Sequence, residues 1–182
     1  MPSIARQTDT LHNLADNQLR QFAFAASIAD PSQNDCPLVW CNDRFCALVG
    51  YSKDEVLGRN CRFLQGHENI DTSLIKQNLD EEKNFDFLIK NFTKSGTPFN
   101  NFVSIRFLRF RGHKLICASQ GSIDAHAQGL RYKDLRIFDH KASEHVQAAL
   151  TVAELSRITA LKSWSLMLQG RLHSLMTDIV EL

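Results

Sequence analysis

Three consecutive runs between residues 84 and 124 constrain this chain most: NFDFLIKNFTKSG, TPFNNFVSIRFLRF and HKLICASQGSID. Each is rich in Phe, Ile, Leu and Val, and Ser95-Gly96 and Gly112-His113 punctuate them as turns. The economical reading is three successive antiparallel strands. Upstream, FAFAASIADP reads as a first strand closed by Asp30-Pro31, SQNDC as a loop and PLVWCN as a short second strand. DRFCALVGYSKDEVLG has helical character with breaks at Gly50 and Gly58, and Ser52 with Glu55 forms an S-x-x-E capping box. IDTSLIKQNLDEEKN predicts one more helix, with Leu74, Ile75 and Leu79 on its buried side. The expected class is α+β, a five-stranded antiparallel sheet interrupted by short helices lying on one face.

Both ends read as helical. TLHNLADNQLRQF places Leu11, Leu14, Leu19 and Phe22 on near-helical spacing, with Thr10 as N-cap. Beyond Asp139, Leu155, Ile158, Leu161, Trp164, Leu168, Leu172, Leu175 and Ile179 step by threes and fours, close to heptad spacing. Gly170 alone interrupts, at a cost of about 1 kcal/mol inside a helix. The tail is one long helix or two packed ones, and its stripe either covers the domain or forms a dimer seam. The expected organisation is an N-terminal amphipathic cap over 1–21, a ligand-binding domain over 22–124 and a helical extension over 125–182 for dimerisation or output.

Lys plus Arg total 21 against 20 for Asp plus Glu, a balance that gives no reason to expect nucleic acid or an anionic membrane as partner. The start MPSIARQTDT lacks a secretory apolar core, and no apolar run approaches a membrane span. A cytoplasmic location is expected. The cysteines, Cys36, Cys41, Cys46, Cys61 and Cys117, are odd in number and contain no C-x-x-C, against both a disulfide framework and a zinc site. No metal is expected. Arg106, Arg109 and Arg111 suggest a basic patch, but on a strand leading to a turn they read as a solvated face.

The chemistry concentrates in GRNCRFLQG, 58–66, where Cys61 sits among Asn60, Arg62 and Gln65. Asn91, Asn101 and Gln120 lie on the three late strands, and Asn91 and Asn101, ten apart across a turn, can return to one face. Each primary amide offers two donors and a carbonyl acceptor, so such a set without carboxylates suits a neutral planar heterocycle with adjacent carbonyls and an N–H. Arg62 suits a phosphate, through its planar fork, and Gln65 a polyol between ring and phosphate. Together these residues suggest a nucleotide-like ligand with a thiol beside it.

GRNCRFLQG resembles, letter for letter, the signature of LOV domains, the blue-light-sensing branch of the PAS fold. GYSKDEVLGRNCRFLQG at 50–66 extends the match. IADP at 28–31 is similar to that fold's first strand and turn, NFTKSG at 91–96 resembles its N-Y-T-K-S-G turn, and CASQG at 117–121 stands in place of its final G-V-Q strand. The resemblance covers roughly residues 22–124. It implies a PAS/LOV fold and a non-enzymatic blue-light photoreceptor. Cys61 would be the photoactive thiol that bonds reversibly to flavin C4a, and Asn60, Arg62 and Gln65 would hold the ribityl-phosphate side. Asn91 and Asn101 would bond the pyrimidine edge. Gln120 would contact N5 and O4 and relay the signal.

The chain departs from the family pattern in three respects, of which the first bears on FMN. A second phosphate-binding arginine common in the family is Asn78 here, with Lys76 nearby, which leaves riboflavin and FAD as competitors. Asn100 replaces a usual tryptophan, and Ala29 and Ala118 stand where Thr and Gly are frequent. Rival readings are a cysteine enzyme, for which His67 lacks an orienting acid, a flavin-binding PAS redox sensor, and a light-independent PAS interaction module. AELSRITALKSW faintly resembles a sensor-kinase dimerisation helix, but without a phospho-acceptor histidine. The expected partners are a second copy, in a homodimer that light controls, and a separate, unidentified effector protein.

Overall fold

The structure is a computed structural model, describing residues 23–66, 70–110, 112–123, 156, 158–167 and 169–170. The strands are β1 (Ala25–Ala29), β2 (Leu38–Cys41), β3 (Phe85–Phe92), β4 (Pro98–Phe110) and β5 (His113–Ser122). They form one five-stranded sheet in the order β2-β1-β5-β4-β3, every neighbouring pair antiparallel. Between β2 and β3 lie α1 (Asp43–Val49), α2 (Lys53–Val56), a 3-10 turn (Cys61–Gln65) and α3 (Ser73–Asp80). The N-terminal cap predicted over 1–21 lies outside the described residues, as does most of the predicted C-terminal extension.

Strict alternation along β3 buries Phe85, Phe87, Ile89 and Asn91 on one face. The register carries that face across the sheet: Ile89 opposes Asn101, Val103 opposes Gln120, and Ala25 opposes Gln120 on the far side. This inner face holds Phe85, Phe87, Ile89, Val103, Ile105, Ile116 and Ala118, with Ile75 and Leu79 of α3 packed against them. A second inner cluster joins Leu38, Phe45, Val49, Val56 and Leu64 of the helical segments to Ala25 and Cys41. Leu74, expected on the buried side of α3, is instead 45% exposed. The inward direction of α3 is set by Ile75 and Leu79, four residues apart, and Leu74 lies one position outside that stripe.

The connecting elements are tied down locally. Asn42 caps α1, its Oδ1 accepting from Phe45 N at 3.0 Å and from Ala26 N at 2.9 Å, so one side chain joins the helix start to β1. The Ser52–Glu55 capping box forms as expected, Ser52 N donating to Glu55 Oε2 at 3.0 Å, and Lys94 pairs with Glu55 from the β3–β4 turn. At the end of the 3-10 turn, Gly66 has φ +62°, and a Cβ there would stand 3.0 Å from Phe92 Cδ2. Only glycine closes the turn this tightly against β3.

The opposite, outer face is covered by a helical stretch over 158–167, here α4. Ile158 and Leu161 pack on Phe102 and Ile123, and Trp164 meets Phe24 edge to face at 6.2 Å between centroids. The described part of the tail stripe therefore covers the domain's own sheet. Beneath α4, Arg106 is 7% exposed and donates to Asp86 Oδ1 at 3.0 Å. Ser104 Oγ donates to the same oxygen at 2.5 Å, and Lys162 Nζ approaches Asp86 Oδ2 at 3.3 Å. This corrects the reading of Arg106 as part of a solvated face. Arg109 does face solvent, paired with Glu82; Arg111 lies outside the described residues.

Candidate functional site

The late strands bring the three predicted amides into one buried chain. Asn91, Asn101 and Gln120 are 4%, 1% and 3% exposed. Asn101 Nδ2 donates to Asn91 Oδ1 at 2.9 Å and to Gln120 Oε1 at 2.8 Å. Gln120 Nε2 donates in turn to Ser27 Oγ at 3.1 Å. Asn101 Oδ1 is buried and accepts from nothing among the described residues. Leaving such a carbonyl unpaired costs about 1–3 kcal/mol, so it is an acceptor open to a donor beyond the described residues. The amide-rich, carboxylate-free donor set fits a planar heterocycle that presents an N–H.

Cys61 opens the 3-10 turn and packs at the edge of the cluster around Leu64. Burial, reinforced by the Cys36 thiol nearby, pushes its pKa up to about 12 from 9.0. The thiol is therefore protonated at neutral pH, unlike the low-pKa cysteine of an enzyme. Three pKa units above an ordinary thiol give roughly a thousandfold less thiolate at pH 8. Alkylation of Cys61 by iodoacetamide in darkness, followed by peptide mass spectrometry, is expected to run at least a hundredfold slower than for an unstructured cysteine peptide. A rate near that of the peptide would mean an activated thiolate.

Asn60 precedes the turn and is engaged by the protein itself. Its Oδ1 accepts from Arg62 N at 3.0 Å, and its Nδ2 donates to Asp35 O at 2.5 Å and Cys36 O at 3.4 Å. Arg62 is exposed and forms an ion pair with Asp35, Nη1 to Oδ1 at 2.6 Å. Gln65 is half-buried at the end of the same turn. On α3, Asn78 donates back to Leu74 O at 2.8 Å, and Lys76 is exposed. Ala118 lies on the inner face opposite Ser27, and Ala29 borders the same cluster. The Asn100 carbonyl accepts from Ile123 N at 2.9 Å.

Two participants escaped the reading of the sequence. Ser27 is 2% exposed, and the only signal for it was a hydroxyl at an inward-facing position within the apolar AASIA strand. Asp35, 27 residues from Arg62 in sequence, carried no local signal. It adopts φ 66° and Cys36 φ 47°, a left-handed pair that turns the loop back toward the 3-10 turn. Among the described residues, no group of His, Cys, Asp or Glu converges to hold a metal, and no helix is long and apolar enough to cross a membrane.

Residues 27–119 match the PAS domain family. The LOV domain of the Erythrobacter litoralis EL346 blue-light activated histidine kinase superposes with a TM-score of 0.53 at 30% identity, covering 57% of this chain and 98% of that one. The chain belongs to the LOV branch of the PAS family. Among curated relatives, this LOV domain is 38% identical over 88 residues to blue-light-activated histidine kinase 1 of Erythrobacter litoralis, 47% of this chain and 24% of that protein. It is 39% identical over 80 residues to a blue-light photoreceptor of Listeria monocytogenes, 43% of this chain and 32% of that one. The match thus spans about a quarter of the first relative's length and about a third of the second's. The superposition agrees with the five-stranded antiparallel sheet and its few short helices.

Proposed function

We propose that this LOV domain is a blue-light photoreceptor that binds a flavin between the Cys61 turn and the inner face of the sheet. The observation that carries the reading is the buried amide chain Asn91–Asn101–Gln120 with the unpaired Asn101 carbonyl. A flavin, when bound, would supply the blue absorption and an electrophilic ring carbon, and Cys61, which keeps its S–H proton, would be the thiol that adds to it. Asn91 and Asn101 fix the pyrimidine edge. Cys61 holds its proton until it is needed, since burial disfavours the thiolate. Gln120 spans the network between Asn101 and Ser27, so a new proton near it changes which of its amide atoms is favoured there.

Arg62, with Asn60 and Gln65 beside it, is the residue for the ribityl-phosphate side, and FMN is the flavin proposed. Asp35 already neutralises Arg62, and Asn78 adds no charge on α3, so riboflavin and FAD remain competitors. Output is proposed to pass through the helical extensions, in a homodimer or toward a separate effector protein.

The test is an absorption spectrum of the purified protein, reconstituted with FMN, before and after a blue flash. A structured flavin band that bleaches and returns in darkness is the expected result. A stable flavin band would leave a redox or light-independent PAS protein, and no retained flavin would refute the site.

A further inference from the structure

We propose that Ser27 is the positioning residue for Gln120, holding its amide in one orientation in darkness and satisfying the opposite orientation after light; the proposal rests on the photoreceptor reading. The hydrogen-bond chain has a direction. Asn101 Nδ2 donates to Gln120 Oε1 at 2.8 Å, and Gln120 Nε2 donates to Ser27 Oγ at 3.1 Å. All three side chains are almost wholly buried, so water does not substitute for a missing partner.

Turning the Gln120 amide through a half-circle exchanges Oε1 and Nε2. At the Asn101 end the exchange sets two N–H donors against each other. It is relieved when Asn101 turns as well and gives Gln120 its Oδ1, the atom that takes the flavin N–H in the photoreceptor reading. At the Ser27 end nothing else must move. A hydroxyl accepts in one state and, by rotating its O–H, donates in the other. An alanine or valine at 27 satisfies Gln120 in neither orientation. Ser27 is placed for this role by register: β1 pairs with β5 as Ser27↔Ala118 and Ala25↔Gln120, so Ser27 stands diagonally from Gln120 on the same face.

The transition between orientations lacks the Ser27 bond, whereas the lit state has it. Removing the hydroxyl therefore raises the lit state relative to the barrier and speeds the return to darkness. The test compares wild type with Ser27→Ala, Ser27→Thr and Ser27→Val by two readouts. One is the dark-recovery rate after a blue flash; the other is the proton shift of Gln120 Nε2–H in the dark protein by NMR. Thr and Val have nearly the same shape, so only the hydroxyl separates them. Ser27→Thr is expected to follow wild type. Ser27→Ala and Ser27→Val are expected to recover about fivefold faster, the factor one neutral hydrogen bond supports, and to move the Gln120 resonance. Thr and Val behaving alike, or all four proteins agreeing in both readouts, would overturn the proposal. If the wild type itself does not bleach, the photoreceptor reading fails, and the NMR comparison still decides whether Ser27 orients Gln120.

Discussion

Cys61→Ala is expected to abolish blue-light bleaching completely while leaving a bound, structured flavin band in darkness. Removing one sulfur deletes the sole atom that forms the new bond, so no partial phenotype is expected. The binding groups Asn91, Asn101 and Gln120 sit on strands that the substitution does not touch. Loss of packing at the edge of the Leu64 cluster costs about 1 kcal/mol or less, too little to unfold the domain. Titration sharpens the test. The thiol pKa, about 12, lies above the ordinary value, so its protonated form is the population present from about pH 6 to about pH 9. The yield of bleaching in wild type should accordingly be flat across that interval. A yield that rises with pH through 7 or 8 would show that a thiolate reacts and that burial does not govern this cysteine. Persistent bleaching in Cys61→Ala would remove Cys61 from the photochemistry.

What the sequence made legible was what local pattern controls. Phe85, Phe87, Ile89 and Asn91 alternate without a break, so the inner face of β3 follows from period two alone. The short turn at Ser95-Gly96 fixes the register that sets Ile89 against Asn101, and the convergence of Asn91 with Asn101 follows from it. Ser52 and Glu55 are three apart and need no tertiary information. The misreadings have long-range causes. Arg106 alternates with Ile105 and Phe107 and falls on the outer face, which looks solvated until residues 158–167 return to cover it. Leu74 neighbours Ile75 in sequence but lies off the stripe that α3 buries. Asp35 meets Arg62 only because the loop after β1 curls back through two left-handed residues.

That covered ion pair carries the second large effect. Arg106→Ala is expected to destabilise the protein by about 3 kcal/mol, because it removes the buried cation that faces the Asp86 carboxylate in the seam beneath α4. Arg106 Nη1 also donates to Ile105 O at 2.7 Å, and that bond is lost too. Ser104 and Lys162 would be the partners left to Asp86, and Lys162 is itself partly exposed. The double variant Asp86→Leu with Arg106→Met should recover most of the loss, since a buried pair returns little more than its own desolvation cost. Urea unfolding of the four proteins of this cycle measures the coupling. The seam has a consequence for output. Lys162 of α4 reaches Asp86, so undocking α4 is expected to hydrate the charges and lower their coupling toward the ~0–1 kcal/mol of exposed pairs. Release of α4 therefore hydrates a polar strip as well as exposing Phe102 and Ile123, which lowers the cost of undocking below that of an all-apolar interface. Leu161→Asp, which places a charge in the fully buried contact against Phe102, should undock α4 and shrink the Asp86–Arg106 coupling to that exposed range. An undiminished coupling in Leu161→Asp would show that the pair is protected by the sheet alone and that α4 plays no part in it.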